Sequence, residues 1–221
     1  MPRPDNTVIH VRFARAQPIT ADALACLDES ERAQAACLPT EAAQDYICAH
    51  RLLRETLSEF ADIAPSAWRF ARTVHGKPFT KQAPLKFNLS HTRGMAALAV
   101  TSGREVGIDI EAIDPHRADA IIARQMFATS EFELWQSAHD PVGAFFHIWT
   151  LKEAVMKAAG LGMVLPLQDF SVTLAPSQFV LTHIDELWKC EFGIFDQYFA
   201  WGLAVECETE SDAMIIHQSK Y

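Results

Sequence analysis

The same succession of elements occurs twice along the 221 residues, and a chain built that way has few folds open to it. Each half starts with a strand, passes a short helix, enters a long helix and ends in strands. In the first half, alternation of apolar and polar residues over 8–14 predicts a half-buried strand. Residues 21–37 predict a helix that breaks after Asp28 and stops before Pro39. Thr40 is expected to N-cap a longer helix in which Tyr46, Ile47, His50, Leu53 and Leu57 share one buried face. Residues 66–75 read as a strand, His75–Pro78 as a turn, and 87–91 and 95–101 as two further strands. A turn at 102–105 opens the second half: a strand at 106–110, helices near 117–127 and 130–137, and a long helix that Asp140-Pro141 starts and Gly160 stops. Strands are expected at 170–174, 179–182, 188–192 and 199–205. The stretch 49–57 sits in the first half where 148–156 sits in the second. The expectation is an α+β protein of two similar α/β halves, 1–103 and 104–221, related by a pseudo-two-fold axis. Their cleft is where a site is sought, since pockets favour such boundaries.

Composition removes several function classes. Nineteen Lys and Arg against 28 Asp and Glu give a net charge of −9, which argues against a nucleic-acid platform but permits a local basic pocket. With 49 % hydrophobic and 21 % charged residues, the chain is neither a disordered tail nor collagen-like. No apolar run approaches the roughly 18 residues that cross a membrane, and residues 1–13 do not resemble a signal peptide. The five cysteines (Cys26, Cys37, Cys48, Cys190, Cys207) form no CxxC pair. They read as reduced cytoplasmic thiols, mostly filling the core.

The residues able to carry chemistry are few. Asp109 and Glu111 lie two apart on an expected strand and leave the same face. Two like charges there either hold a hard cation such as magnesium or simply face water. Glu153 and Lys157, four apart on the long helix, are either a solvated ion pair or part of a site. Thr150 to Glu153 has the spacing of a capping box, but the apolar run 145–149 puts the helix start upstream. His91, Lys77 and Arg51 each have a plain structural role open to them, Arg51 through its spacing to Glu55. No serine-hydrolase elbow, dinucleotide loop, Walker loop or zinc-spaced cluster occurs.

Taken together, the segments Gly76-Lys-Pro78, Phe87-Asn-Leu-Ser-His91, Val106-Gly-Ile-Asp-Ile-Glu111, Phe127-Ala-Thr-Ser-Glu131 and Trp149-Thr-Leu-Lys-Glu-Ala-Val-Met-Lys157 resemble, in order and spacing, the 4′-phosphopantetheinyl transferases. The resemblance covers roughly residues 20–175 and is to the larger, monomeric, surfactin-synthetase-activating type rather than the half-size trimeric one. It implies a fold of two similar α+β halves, and transfer of the phosphopantetheine arm of coenzyme A to a serine of an apo acyl, peptidyl or aryl carrier protein. The co-product is adenosine 3′,5′-bisphosphate, and magnesium is required. The resemblance further implies that Asp109, Glu111 and Glu153 hold the ion, with Lys157 beside the same phosphates. Lys77, Pro78, Ser90 and His91 match coenzyme-contacting positions, and Arg51 matches one near the 3′-phosphate. Glu131 and Glu153 are both candidates for the general base.

One departure concerns the first helical stretch, where family members cluster basic residues. Here residues 31–37 contain Arg32 alone, so binding of the 3′-phosphate is expected to lean on Arg51 and His91. An apolar surface that docks the carrier is expected to include Met126, Phe127, Met163 and Val164. The alternative reading is a catalytically silent module that binds coenzyme A or the carrier; the presence of all three acids argues against it.

Overall fold

The computed structural model describes residues 7–181, 186–210 and 214–220. In chain order these form β1 (Thr7–Arg15), α1 (Ala21–Ala25), α2 (Glu29–Ala36), α3 (Thr40–Phe60), β2 (Ala71–Arg72), β3 (Pro78–Phe79), β4 (Leu85–Thr92), β5 (Met95–Ser102), β6 (Val106–Ala112), α4 (Ala120–Met126), α5 (Thr129–Ser137), α6 (Pro141–Ala159), β7 (Gln178–Leu181), β8 (Leu187–Phe195), β9 (Phe199–Cys207) and β10 (Met214–Lys220). Two four-stranded sheets result, ordered β10-β1-β5-β4 and β6-β9-β8-β7. The mixed helix and sheet content is that of an α+β protein.

The sheets face one another across a core of Ile9, Val11, Phe13, Ile108, Ile110, Trp201 and their neighbours. The long helix α3 covers the outside of the first sheet, with Leu52, Leu53 and Leu57 against Phe87 and Leu98. Helix α6 covers the second. Its Phe146, Ile148, Leu151 and Val155 are fully buried, each stabilising the fold by on the order of 1.5–3 kcal/mol. Asp140 caps α6 by accepting from the Gly143 N–H at 3.0 Å, and Gly160 ends it at φ +68°, a conformation that favours glycine.

At one seam the sheets meet edge to edge, and side chains replace the backbone ladder. Asn88, Ser90 and Thr92 of β4 recur with the strand period of two. Their oxygens accept the N–H groups of Ile108 (2.9 Å), Ile110 (3.4 Å) and Ala112 (3.4 Å) on β6. Those N–H groups point away from β9 and would otherwise be unsatisfied in the interior.

Four expectations change. The strand expected over 66–75 reduces to β2. Buried Arg54 instead takes the carbonyls of Pro65 (2.8 Å) and Trp68 (3.1 Å) while pairing with Asp28 and Glu31, both at 2.7 Å. Residues 170–174 form no strand because side chains satisfy their backbone. Phe170 O accepts from Lys152, the Val172 N–H donates to Glu131, and the Thr173 N–H donates to Gln178. Thr40 opens α3 without a side-chain cap, following Pro39. Finally, the tail does not stay with the second half. β10 runs parallel to β1 in the first sheet, covering backbone groups that would leave β1 an open edge. Of the strand expected at 179–182, Thr182 lies outside the described residues.

Candidate active site

Strand β6 alternates. Val106, Ile108 and Ile110 enter the inter-sheet core, so Gly107, Asp109 and Glu111 face α6. A Cβ on Gly107 would lie 2.0 Å from Ala154 O and 2.4 Å from Ala158 N. The helix therefore rests directly on this residue. That approach sets Glu153 and Lys157, from the same helix, beside the two acids of the strand.

Asp109 is 4 % exposed. Its Oδ1 accepts from Ser90 Oγ at 2.9 Å and from Lys157 Nζ at 2.6 Å, and Lys157 also donates to Ser90 Oγ at 3.1 Å. Its Oδ2 is buried and accepts no hydrogen bond, an arrangement that native interiors rarely leave without a reason. Glu111 Oε2 accepts from Arg117 at 2.8 Å. Burial first, then the negative charges of Asp109 and Glu111, push the Glu153 carboxyl up to about 7, with Lys157 offsetting only part of the rise. Ser90, Asp109, Glu111, Glu153 and Lys157, expected together, are thus assembled.

Among the described residues no three His, Cys, Asp or Glu side chains stand gathered as a chelating group. Asp109 turns to Lys157 and Glu111 to Arg117. The donor chemistry nevertheless fits a hard divalent cation: three carboxylates, one with an orphaned oxygen and one driven toward its neutral form by burial and by the other two.

The exposed face of α6 separates two hollows. One, of about 230 Å³, is lined by Lys77, Pro78, Asn88, Met156 and Lys157. The other, of about 340 Å³, is lined by Glu153, Met126, Met156, Leu165 and Leu167. Lys77 reaches the first hollow with its stem, while its Nζ donates to Glu105 (2.7 Å) and to Ala158 O (2.7 Å) at the end of α6. Burial lowers its pKa despite Glu105. His91 lies on β4 beside Ser90; burial lowers its pKa first, Asp45 opposes the fall, and His50 and Lys157 add to it.

Three candidates lie elsewhere. Glu131 is fully buried, ion-paired with Lys152 at 2.7 Å and accepting the N–H groups of Ala128 and Val172, both at 2.7 Å. It belongs to the start of α5 and the core, and no lone pair faces the cleft. Arg51 pairs with Glu55 at 3.0 Å and lines a separate hollow of about 520 Å³ with Phe13, Pro18, Ile19 and Phe195. That hollow shares no lining residue with the two beside α6. Phe127 is 3 % exposed in the core, whereas Val164 is 65 % exposed and Met126 lines the second hollow; the side chain of Met163 lies outside those described. The residue that sequence reasoning missed is Arg117. Its only signal was the Asp114-Pro115 turn directly after the acidic strand.

Residues 105–204, which contain β6, α6 and every acid of this centre, match the model of the 4′-phosphopantetheinyl transferase superfamily. Over this stretch the chain is similar to that superfamily. It is 35 % identical over 126 residues to a 4′-phosphopantetheinyl transferase of Bacillus subtilis, covering 56 % of this chain and 55 % of the relative. It is 32 % identical over 157 residues to the 4′-phosphopantetheinyl transferase HetI of a Nostoc strain, covering 68 % and 65 %. It is 32 % identical over 126 residues to the 4′-phosphopantetheinyl transferase Sfp of Bacillus subtilis strain 168, covering 56 % and 55 %. The matches thus span about half to two thirds of these relatives' lengths, and the relatives are of the Sfp-like type.

Proposed function

We propose that this protein transfers the 4′-phosphopantetheine arm of coenzyme A to a serine of an apo carrier protein, with magnesium, and releases adenosine 3′,5′-bisphosphate. The observation that carries the reading is the acid cluster itself: a buried Asp109 oxygen without a partner beside a Glu153 carboxyl that titrates near neutrality. Asp109, Glu111 and Glu153 would hold the ion, whose charge would offset that of the pyrophosphate. The serine oxygen attacks the phosphorus bearing the pantetheine arm, and its proton passes to Glu153. Its place between the acids of β6 and Lys157 suits it to that task. As the bond to the leaving bisphosphate breaks, Lys157 takes up the negative charge developing there, already held in place by Ser90 and Asp109. The engagement of Glu131 with Lys152 and two backbone N–H groups favours Glu153 over Glu131 as base.

Lys77, Pro78, Ser90 and His91 flank the coenzyme, in line with the hollow that Lys77, Pro78 and Lys157 line together. The 3′-phosphate is assigned to Arg51, which lines its own hollow, together with His91. The second hollow, apolar and open beside Glu153, receives the carrier. No described helix is long and apolar enough to cross a membrane; a cytoplasmic monomer is proposed. The decisive test mixes the protein with coenzyme A, Mg²⁺ and apo carrier proteins of the acyl, peptidyl and aryl kinds, then weighs the carriers. One phosphopantetheine mass on serine is expected, and it is lost with Asp109→Ala. No gain on any carrier would overturn the reading.

A further inference from the structure

We propose that Arg117 is a positioning residue that orients Glu111 as a cation ligand; this rests on the divalent-cation reading of the acid cluster. Each acid of β6 has one cationic partner, Asp109 in the interior and Glu111 nearer the surface, where Arg117 is 45 % exposed. Asp109 gives one oxygen to the Lys157 ammonium at 2.6 Å and keeps the other without a partner. Glu111 gives Oε2 to Arg117 at 2.8 Å, which leaves Oε1 to turn toward the cluster. A carboxylate gripped on one oxygen presents the other in a fixed direction. Outer partners of this kind orient metal ligands and raise their affinity.

The chain after β6 is built to deliver the guanidinium. Asp114 accepts the His116 N–H on its side chain and the Arg117 N–H on its carbonyl, both at 2.9 Å, which closes the single turn Pro115–Arg117. The turn brings Arg117 back over its own strand. Its Cζ lies 5.8 Å from the ring centroid of Phe146, a fully buried residue of α6. Glu111, Asp114 and Asp109 are the charges that act on it. Arg117 is thus anchored through the two elements that carry the acids. Its planar fork also fixes a carboxylate more firmly than a lysine would.

The opposite role, a counter-charge that the ion must displace, makes the contrary forecast. Removing a competitor tightens cation binding; removing a positioning residue weakens it. Mn²⁺ binding is measured by the electron paramagnetic resonance of the free ion, with and without coenzyme A, on the full chain and four variants. Arg117→Gln is expected to weaken binding about tenfold, within the range for outer partners of metal ligands. Arg117→Lys should recover part of the loss, and Lys81→Gln, which removes an exposed charge elsewhere, should change nothing. In turnover the half-saturating Mg²⁺ concentration rises for Arg117→Gln, while kcat at saturating Mg²⁺ is retained. Unchanged or tighter Mn²⁺ binding in Arg117→Gln overturns the proposal. Asp109→Asn separates the two levels: if it too binds Mn²⁺ normally, the cation reading falls, and if it alone loses binding, only the role of Arg117 falls.

Discussion

Replacing Glu153 by Gln should remove activity and stabilise the ligand-free protein at alkaline pH. Burial and two neighbouring acids raise this carboxyl from 4.5 to about 7. Below about pH 4.5 it is protonated in both folded and unfolded chains and contributes no difference. Between 4.5 and 7 the unfolded chain releases the proton and the folded one keeps it, so stability falls as pH rises. Above 7 the whole penalty is present. The interval corresponds to roughly 3 kcal/mol at most. Because Glu153 is partly accessible along the hollow, about 1–2 kcal/mol is the expected share after solvent screening. Gln is nearly isosteric and carries no charge. Urea denaturation at pH 5 and pH 8, without metal or coenzyme, therefore gives a clear comparison. The variant should come close to the parent at pH 5 and exceed it at pH 8 by about 1–2 kcal/mol in unfolding free energy. Equal stability at both pH values, or a loss at pH 8, would refute the electrostatic account of the cluster.

Other perturbations separate scaffold from chemistry. Glu131→Gln leaves Lys152 as an unpaired buried charge and should cost about 3–5 kcal/mol in denaturant unfolding, yet transfer per folded molecule should persist; a folded but inactive variant would return Glu131 to the chemistry. Arg54→Leu abandons Asp28, Glu31 and two carbonyls, with an expected loss of about 3–5 kcal/mol; a change under 1 kcal/mol would show that the hub is dispensable. Gly107→Ala forces α6 off β6, since the new methyl would meet Ala154 O. Transfer should fall by at least an order of magnitude even at a temperature where circular dichroism shows the variant folded, and wild-type rates would disprove the close-approach argument.

The helices that position the site were legible because their signals are local. Asp140-Pro141 and Gly160 mark the ends of α6, and Asp28 caps α2, as residue chemistry at helix termini dictates. Strand and helix periods paired Asp109 with Glu111 and Glu153 with Lys157, but left each pair open to a plain solvated role; the family resemblance added Ser90 and joined the pairs. What sequence could not convey was which polar groups spend themselves on one another across the fold. Glu131 and Glu153 look alike as helical glutamates. Only the chain's return at Val172 and the adjacent Lys152 show that the first is consumed. Arg51 and Arg54 differ by less than one helical turn, yet the first lines an outlying hollow and the second is the buried hub of α2, α3 and the 65–68 turn. Strand β10 was invisible because its pairing with β1 joins the two ends of the chain, the longest contact the topology contains.

The stitching of β4 to β6 by Asn88, Ser90 and Thr92 also bears on how the cleft behaves. Ser90 Oγ is a stitch, accepting from Ile110 N, and at the same time a member of the centre, bonded to Asp109 and Lys157. One hydroxyl thus belongs to the architecture and to the chemistry at once. Two sheets joined this way share a seam of side-chain hydrogen bonds as well as a core. Ser90→Ala would therefore remove a stitch between the sheets and a partner of Asp109 and Lys157 in a single change.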